Sequence, residues 1–469
     1  MCSSDLLGFT QLGRVEYAQA GGLIYTDAID NSAGVDCSDH EVNIKILLGL
    51  AMEEGRLTLE ERDALLASMT DDVAELVLDD NRAETLALAI ARRQSLPMVN
   101  VHSRYLRLLE TEGWVNRALE FLPTDRQIAE RQAGGLGLTT PEFSVLLAYT
   151  KSANITEMER SDLPDDPYLE PDLLHYFPPR LREAYHDDIL RHRLRREIVA
   201  TQVGNQMVNF SGISFDHRMG EEAGVSVVDT TRAWIAARDI YGLPQLWHAV
   251  DELSGQVKLD VQLEMFLELR SLSERGTLWL LRHRKLPLDI AAAVEAYRPG
   301  MRALVELEGS LRGSLRDEGF AAEARRLAAG VPELLAQRSA QWNLLHTCFD
   351  MIELGHKLGT PLADVSTTYW HVFDLLDIAW LWEGIGGLPR SNRWQTQARS
   401  ALRDDLLVAL ADLSEDAILA GGVEAWGETN ERMVARAMTM FTELRRADTQ
   451  DLTTLSVAVR QLRNLALLT

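Results

Sequence analysis

Cysteine is scarce in this sequence. The 469 residues contain three, Cys2, Cys37 and Cys348, with no CxxC or other metal-binding spacing. That excludes a disulfide framework and fits a reducing compartment. Positive charge is also in deficit: 47 Lys and Arg stand against 71 Asp and Glu, a formal charge of −24. A surface of that sign repels phosphate backbones and anionic lipid at long range, so neither nucleic acid nor a membrane surface is an expected partner. No stretch of about 18 uninterrupted apolar residues occurs. Met1–Thr10 has neither a basic n-region nor a long apolar h-region. The expected location is therefore cytoplasmic. No internal repeat is found, which argues against a regular solenoid.

What is present is globular. A hydrophobic fraction of 46% and a charged fraction of 25% allow a sizeable core and two to four domains of ordinary size. Residues 1–40 read as αβ-type sequence: a short helix over Gly13–Ala20 closed by Gly21-Gly22, a strand over Leu23–Thr26, then a loop through Asp30–Gly34. From Ser38 onward apolar residues recur three and four apart, which is the helical period. Ser38 with Glu41 has the spacing of a capping box ahead of Val42, and Thr58 with Glu61 repeats it. Thr140-Pro141 starts a helix. The acidic, proline-punctuated stretch 161–167 cannot be helix interior and reads as a linker. Helices are expected over 186–208, 226–240, 259–281, 287–297, 301–311, 333–352, 363–382, 396–413, 424–444 and 452–467.

Most candidate chemistry has a structural explanation. Gly134-Gly135-Leu136-Gly137 and Gly384-Ile385-Gly386-Gly387 lack the full G-x-G-x-x-G or G-K-[ST] form and read as turns between helices. Metal ligation needs donors three or four apart on one helix face, and the histidine pairs His186/His192 and His346/His356 do not supply it, so no metal is expected. No G-x-S-x-G occurs, and Asp216-His217 reads as a solvated helix face. The basic run Arg191, Arg193, Arg195 and Arg196 reads as a helix face paired with acidic neighbours. The tryptophans fit core positions. The loop from Asp30 to Glu41 remains. There a strand would hand over to a helix N-terminus, and the amides and the Ser38 hydroxyl could receive an anionic group.

At this loop the sequence resembles the large bacterial NAD-dependent glutamate dehydrogenases. The resemblance rests on Gly13-Arg14-Val15-Glu16-Tyr17-Ala18, on Thr26 through Asp36 and on Ser38 through Lys45. It continues in Gly137-Leu138-Thr139, His192–Ile198, Ala236-Ala237-Arg238-Asp239 and Leu246-Trp247, is visible from about Thr10 to Leu288, and fades in the last third. Met1–Leu7 match nothing in the family pattern and suggest an arbitrary start. The resemblance implies that Ser38 contacts the side-chain carboxylate of glutamate, that Val35 packs on the substrate, and that Asn31 and Gly34 lie at the cofactor, NAD. It also implies the fold: mainly α, with an N-terminal remnant of an α/β dinucleotide-binding, Rossmann-like domain followed by a large irregular helical-bundle region. Residues 1–55 would be the edge of the catalytic domain, 56–160 a helical region and 161–469 a C-terminal helical domain. The reaction needs a catalytic lysine and a dinucleotide fingerprint. Neither is found among the sequence's motifs; its lysines are Lys45, Lys151, Lys258, Lys285 and Lys357. The chain is thus expected to carry no catalytic residue, to be inactive alone, and to act with the rest of a large, homo-oligomeric subunit on L-glutamate and 2-oxoglutarate. The rival reading is a helical scaffold or assembly module that retains the loop.

Overall fold

The structure is a computed structural model and describes residues 8–307, 313–446 and 450–468. Among these residues the regular elements are α-helices and three short 3-10 segments, with no β-strand. The mainly α expectation holds. Among the described residues no helix is long and apolar enough to cross a membrane. The chain divides into two compact units, residues 1–220 with 225–232, and residues 221–224 with 233–469.

The first unit opens with α1 (Gln11–Gln19), α2 (Asp27–Asp30), α3 (Ser32–Glu53), α4 (Leu59–Ser68), α5 (Thr70–Arg93), α6 (Val99–Thr111), α7 (Asp125–Ala133) and α8 (Thr140–Glu159). It continues through α9 (Glu170–Tyr176), α10 (Pro179–Ala184), α11 (His186–Leu190) and α12 (Arg195–Ser211). The helices α3 and α8 both pack on α5, and α12 lies against α8. Their shared core includes Leu88, Tyr105, Leu106, Phe143, Leu147 and Val208. Removing an apolar side chain such as Phe143 from water contributes about 1.5–3 kcal/mol, so this layer holds the unit together.

Helix starts follow the sequence where a reciprocal cap forms. Thr58 and Glu61 bond each other's backbone amides at the start of α4, and Thr139 and Glu142 do so at α8. Thr58→Ala should cost about 1 kcal/mol and raise amide exchange in the first turn of α4 about fivefold, a change that hydrogen-exchange mass spectrometry reads directly.

Four local expectations are corrected. Residues 22–26 carry no regular secondary structure; a strand requires a ladder partner, and no described segment offers one. The helix expected at Ser38 begins six residues earlier, at Ser32, because nothing between Ser32 and Ser38 breaks it once Asn31 turns the chain. The single helix expected over 186–208 is two, broken at Arg191–Leu194, where His192 Nδ1 accepts from the Leu194 amide at 3.1 Å and its Nε2 lies 3.1 Å from the Asn43 carbonyl oxygen. The basic run on either side does pair with acids: Arg191 with Asp188, and Arg195 and Arg196 with Asp165. The proline-rich stretch forms two 3-10 turns inside the first unit, where Arg232 holds Asp162 and Asp166 at 3.0 and 2.8 Å.

The second unit contains most of α14 (Val227–Tyr241), which follows α13 (Phe215–Ala223), and then α15 (Leu243–Asp251), α16 (Leu259–His283), α17 (Ile290–Val305), α18 (Gly313–Ala328) and α19 (Glu333–Ser339). It ends with α20 (Cys348–Leu358), α21 (Leu362–Leu375), α22 (Ala379–Gly387), α23 (Arg393–Leu419), α24 (Val423–Thr429), α25 (Glu431–Arg446) and α26 (Leu452–Leu468). Pro299-Gly300 does not separate two helices: α17 runs through it, and a Cβ on Gly300 would stand 2.8 Å from Ile352, so the glycine serves close helix packing. Gly384-Ile385-Gly386-Gly387 lies inside α22 rather than in a turn. The helices expected over 333–352, 363–382 and 424–444 are each divided. A 3-10 segment, Trp342–Thr347, interrupts the first. Asp377, at φ +49°, turns the chain in the second, and Asn430 ends α24 with its side-chain amide on the Trp426 carbonyl in the third. Trp234, Trp247, Trp279, Trp370 and Trp380 are buried, as core positions require, whereas Trp382 is half-buried and Trp394 exposed.

Candidate functional site

The residues singled out by sequence meet on α3. Arg14 is buried to 2% and donates to the Tyr25 carbonyl at 2.7 Å while pairing with Asp27. This fixes the entry to α2. Asn81, on α5, donates to the Ile29 carbonyl at 3.0 Å and to Ser32 Oγ at 2.8 Å, which ties the junction of α2 and α3 to the helix beneath. Asn31 is the N-cap residue of α3 and makes no side-chain cap hydrogen bond. A Cβ on Gly34 would stand 2.7 Å from Asn31 Oδ1, so the bare glycine leaves room for that amide.

At about 100° per residue, Asn31, Val35, Ser38 and Val42 fall on one stripe of α3, with Gly34 at its edge. All five are exposed, Val35 to 74%. Ser38 is therefore not a cap. It lies in the second turn, and its hydroxyl donates back to the Gly34 carbonyl at 3.3 Å. The structure brings Asn31, Gly34, Val35 and Ser38 onto one open face, but it places no helix-start amides beside Ser38.

The opposite flank is polar and partly enclosed. His40 is buried to 1% and stacks on Tyr176 with ring centroids 4.5 Å apart. The Tyr176 hydroxyl donates to Asp39 at 2.7 Å and accepts from Asn43 at 2.8 Å. Asp36, His40 and Asp80 bring one donor atom each within 4.8 Å of one another. Glu84 beside them is paired with Lys151 at 2.7 Å. Burial, then the charges of Asp80, Asp39 and Glu84, push the Asp36 carboxyl up to about 7. Burial raises Asp80 to about 6 against the lowering pull of Lys151, and it lowers His40, which favours the neutral ring. Half-shielded carboxylates around an uncharged imidazole can exchange a proton near neutrality or hold a cation.

The histidine-pair spacings considered from sequence missed this group. Asp36 and His40 are four apart on one helix, a readable signal; Asp80 and Lys151 come from α5 and α8, and no local pattern links them to α3. Asp216-His217 also departs from expectation. It is packed rather than solvated, with His217 stacked on Tyr105 at 5.0 Å and burial raising Asp216 to about 6. A separate cavity of about 270 Å³ is lined by Gly21, Gly22, Arg92, Arg93, Ser95, Arg131 and Gly135–Thr140. Its Arg131 is held by the buried Glu142 at 2.8 Å. The Gly134–Gly137 segment beside it is the turn between α7 and α8, as its sequence suggests.

Residues 135–464 match the family described as glutamate dehydrogenase, C-terminal, and residues 2–91 match the bacterial NAD-glutamate dehydrogenase catalytic domain. The chain is 40% identical over 471 residues to the NAD-specific glutamate dehydrogenase of Pseudomonas aeruginosa and 37% identical over 468 residues to that of Mycobacterium tuberculosis. Each alignment covers 98% of this chain and 29% of the relative. The likeness therefore begins at residue 2, not at Thr10, and it persists through the last third; the structure of Met1–Leu7 lies outside the described residues. On residues 135–464 and on identity along nearly its whole length, the chain belongs to the large bacterial NAD-specific glutamate dehydrogenases and corresponds to their C-terminal portion.

Proposed function

We propose that this chain supplies the glutamate-facing helix and the C-terminal helical region of an enzyme that converts L-glutamate, water and NAD⁺ into 2-oxoglutarate, ammonium and NADH. The observation that carries the proposal is the open stripe of α3, where two valines and a hydroxyl stand uncovered on a helix whose other flank is packed. Exposed valines beside a hydroxyl suit a substrate with a methylene chain and a distal carboxylate: Val35 covers the chain and Ser38 donates to the acid. Residues 1–55 act as the edge of an α/β catalytic domain, and the remainder braces it within a homo-oligomer. The opposite wall, with its lysine and proton-transfer carboxylate, belongs to the part of the relatives that this chain does not span.

The fit to NAD is divided. The uncapped Asn31 amide and the bare Gly34 backbone can meet the nicotinamide end, whereas among the described residues no strand-to-helix glycine loop is present for the phosphates. When bound, NAD accepts the hydride. This chain's residues hold the substrate and shield one side of it.

Purified alone, the 469-residue protein should show no glutamate-dependent NADH production. Substituted for the matching part of the Pseudomonas aeruginosa relative, it should restore that activity. Turnover by the isolated chain, or a folded chimera that binds no glutamate, would overturn the reading.

A further inference from the structure

His40 makes an unusual demand on its surroundings. It is nearly sealed from solvent, yet neither ring nitrogen has a hydrogen-bond partner. An imidazole deprived of both partners loses a substantial part of its solvation energy. His192, another buried histidine of the same unit, satisfies both nitrogens through the Asn43 carbonyl and the Leu194 amide. What His40 faces instead is carboxylate: its Nε2 stands 3.9 Å from Asp36 Oδ1, and Asp80 approaches from α5.

The neighbouring charges are already engaged. Lys151 is committed to Glu84, and Asp39 receives the Tyr176 hydroxyl and the Asn43 amide. Asp36 and Asp80 are left turned toward a ring that offers them no hydrogen bond. Both are only half-buried, so the cluster is open to solvent on one side and an ion has a way in.

We propose that Asp36, His40 and Asp80 form a binding site for one divalent first-row transition ion, Zn²⁺ or Mn²⁺. One imidazole nitrogen with two carboxylate oxygens is a donor set that suits these ions, whereas Ca²⁺ and Mg²⁺ favour oxygen alone. Donors around a tetrahedral ion at 2.0–2.2 Å lie about 3.3–3.6 Å apart. The present spread, within 4.8 Å, closes to that by rotation of the two aspartate side chains, with water filling the remaining position. The site does not depend on the glutamate reading, because it lies on the other flank of α3 and shares no residue with the open stripe.

The test is calorimetric titration of the chelator-treated 469-residue protein with Zn²⁺ and, separately, with Mn²⁺ followed by electron paramagnetic resonance. One equivalent should bind. Asp36→Asn and Asp80→Asn should each weaken binding at least about tenfold, while Cys37→Ser should leave it intact. The asparagine variants are close to isosteric and remove charge from a crowded cluster, so they should fold; circular dichroism and melting without metal check this. A metal-induced rise in melting temperature that is lost in both variants gives an independent readout. Absence of saturable binding of either ion to the unaltered protein would overturn the proposal. So would one-equivalent binding undiminished in the Asp36→Asn/Asp80→Asn double variant, or binding abolished by Cys37→Ser.

Discussion

Alanine at Ser38, introduced into an active chimera with the Pseudomonas aeruginosa relative, should lower kcat/KM for glutamate by about 10–100-fold. The reasoning is that a hydrogen bond to a charged group is worth about 1.5–3 kcal/mol. The loss should fall on KM for glutamate and leave KM for NAD nearly unchanged, because Ser38 lies about two turns along α3 from Asn31, and the Gly34 backbone one turn away is untouched by the substitution. Folding should not suffer. Ser38 is exposed, its one internal bond is the 3.3 Å contact to the Gly34 carbonyl, and alanine is the better helix former. Threonine, which keeps the hydroxyl, should recover part of the loss. A KM for glutamate that does not move in Ser38→Ala would remove this residue from the substrate site.

The second large effect concerns stability in the second unit. Asp350 accepts from Trp279 Nε1 at 2.8 Å through one oxygen, while the other is buried without a partner. Burial pushes this carboxyl up to about 7, and the charges of Asp404 and Glu353 add to the effect. Between its unfolded value near 4 and about 7 the folded chain keeps a proton that the unfolded chain has released. Stability therefore falls by ~1.4 kcal/mol per pH unit across that window and levels off above it. Asp350→Asn retains an acceptor for Trp279 and carries no charge, so it should stabilise the protein by about 4 kcal/mol at pH 7.5, the same slope taken over about three pH units, and by almost nothing at pH 4. Urea midpoints at the two pH values decide the matter: an equal gain at both, or a loss at pH 7.5, would show that the carboxylate is compensated in a way that the geometry does not display.

Much of this molecule was legible in its sequence, for physical reasons that differ by element. The starts of α4 and α8 could be placed because their signals are local: Thr58 with Glu61 at the first, and Pro141 following Thr140 at the second. The charge pairing of Arg191, Arg195 and Arg196 followed from the excess of acid around them. Breaks were harder to see. Asp377 turns the chain without glycine or proline, and Pro299-Gly300 fails to turn it because the glycine seats against Ile352. At the candidate site the identities of Asn31, Gly34, Val35 and Ser38 were readable through resemblance. Their setting was not: a capping box and an uncapped helix interior share the Ser38–Glu41 spacing, and only the tether from Arg14 and Asn81 shows where α3 begins. Asp80 and Lys151 joined the opposite flank through tertiary packing, which local sequence patterns do not encode.

The unbroken 22-residue course of α3 makes it a camshaft. Inserting or deleting one residue upstream of Ser38 but after Asp36 would rotate the downstream lobes by about 100° relative to the upstream ones. Ser38 would swing out of line with Asn31, and His40 would leave the aspartates, in the same stroke. Variation in length should thus be tolerated in the turns on either side of α3 and purged within it, even where every individual side chain is replaceable.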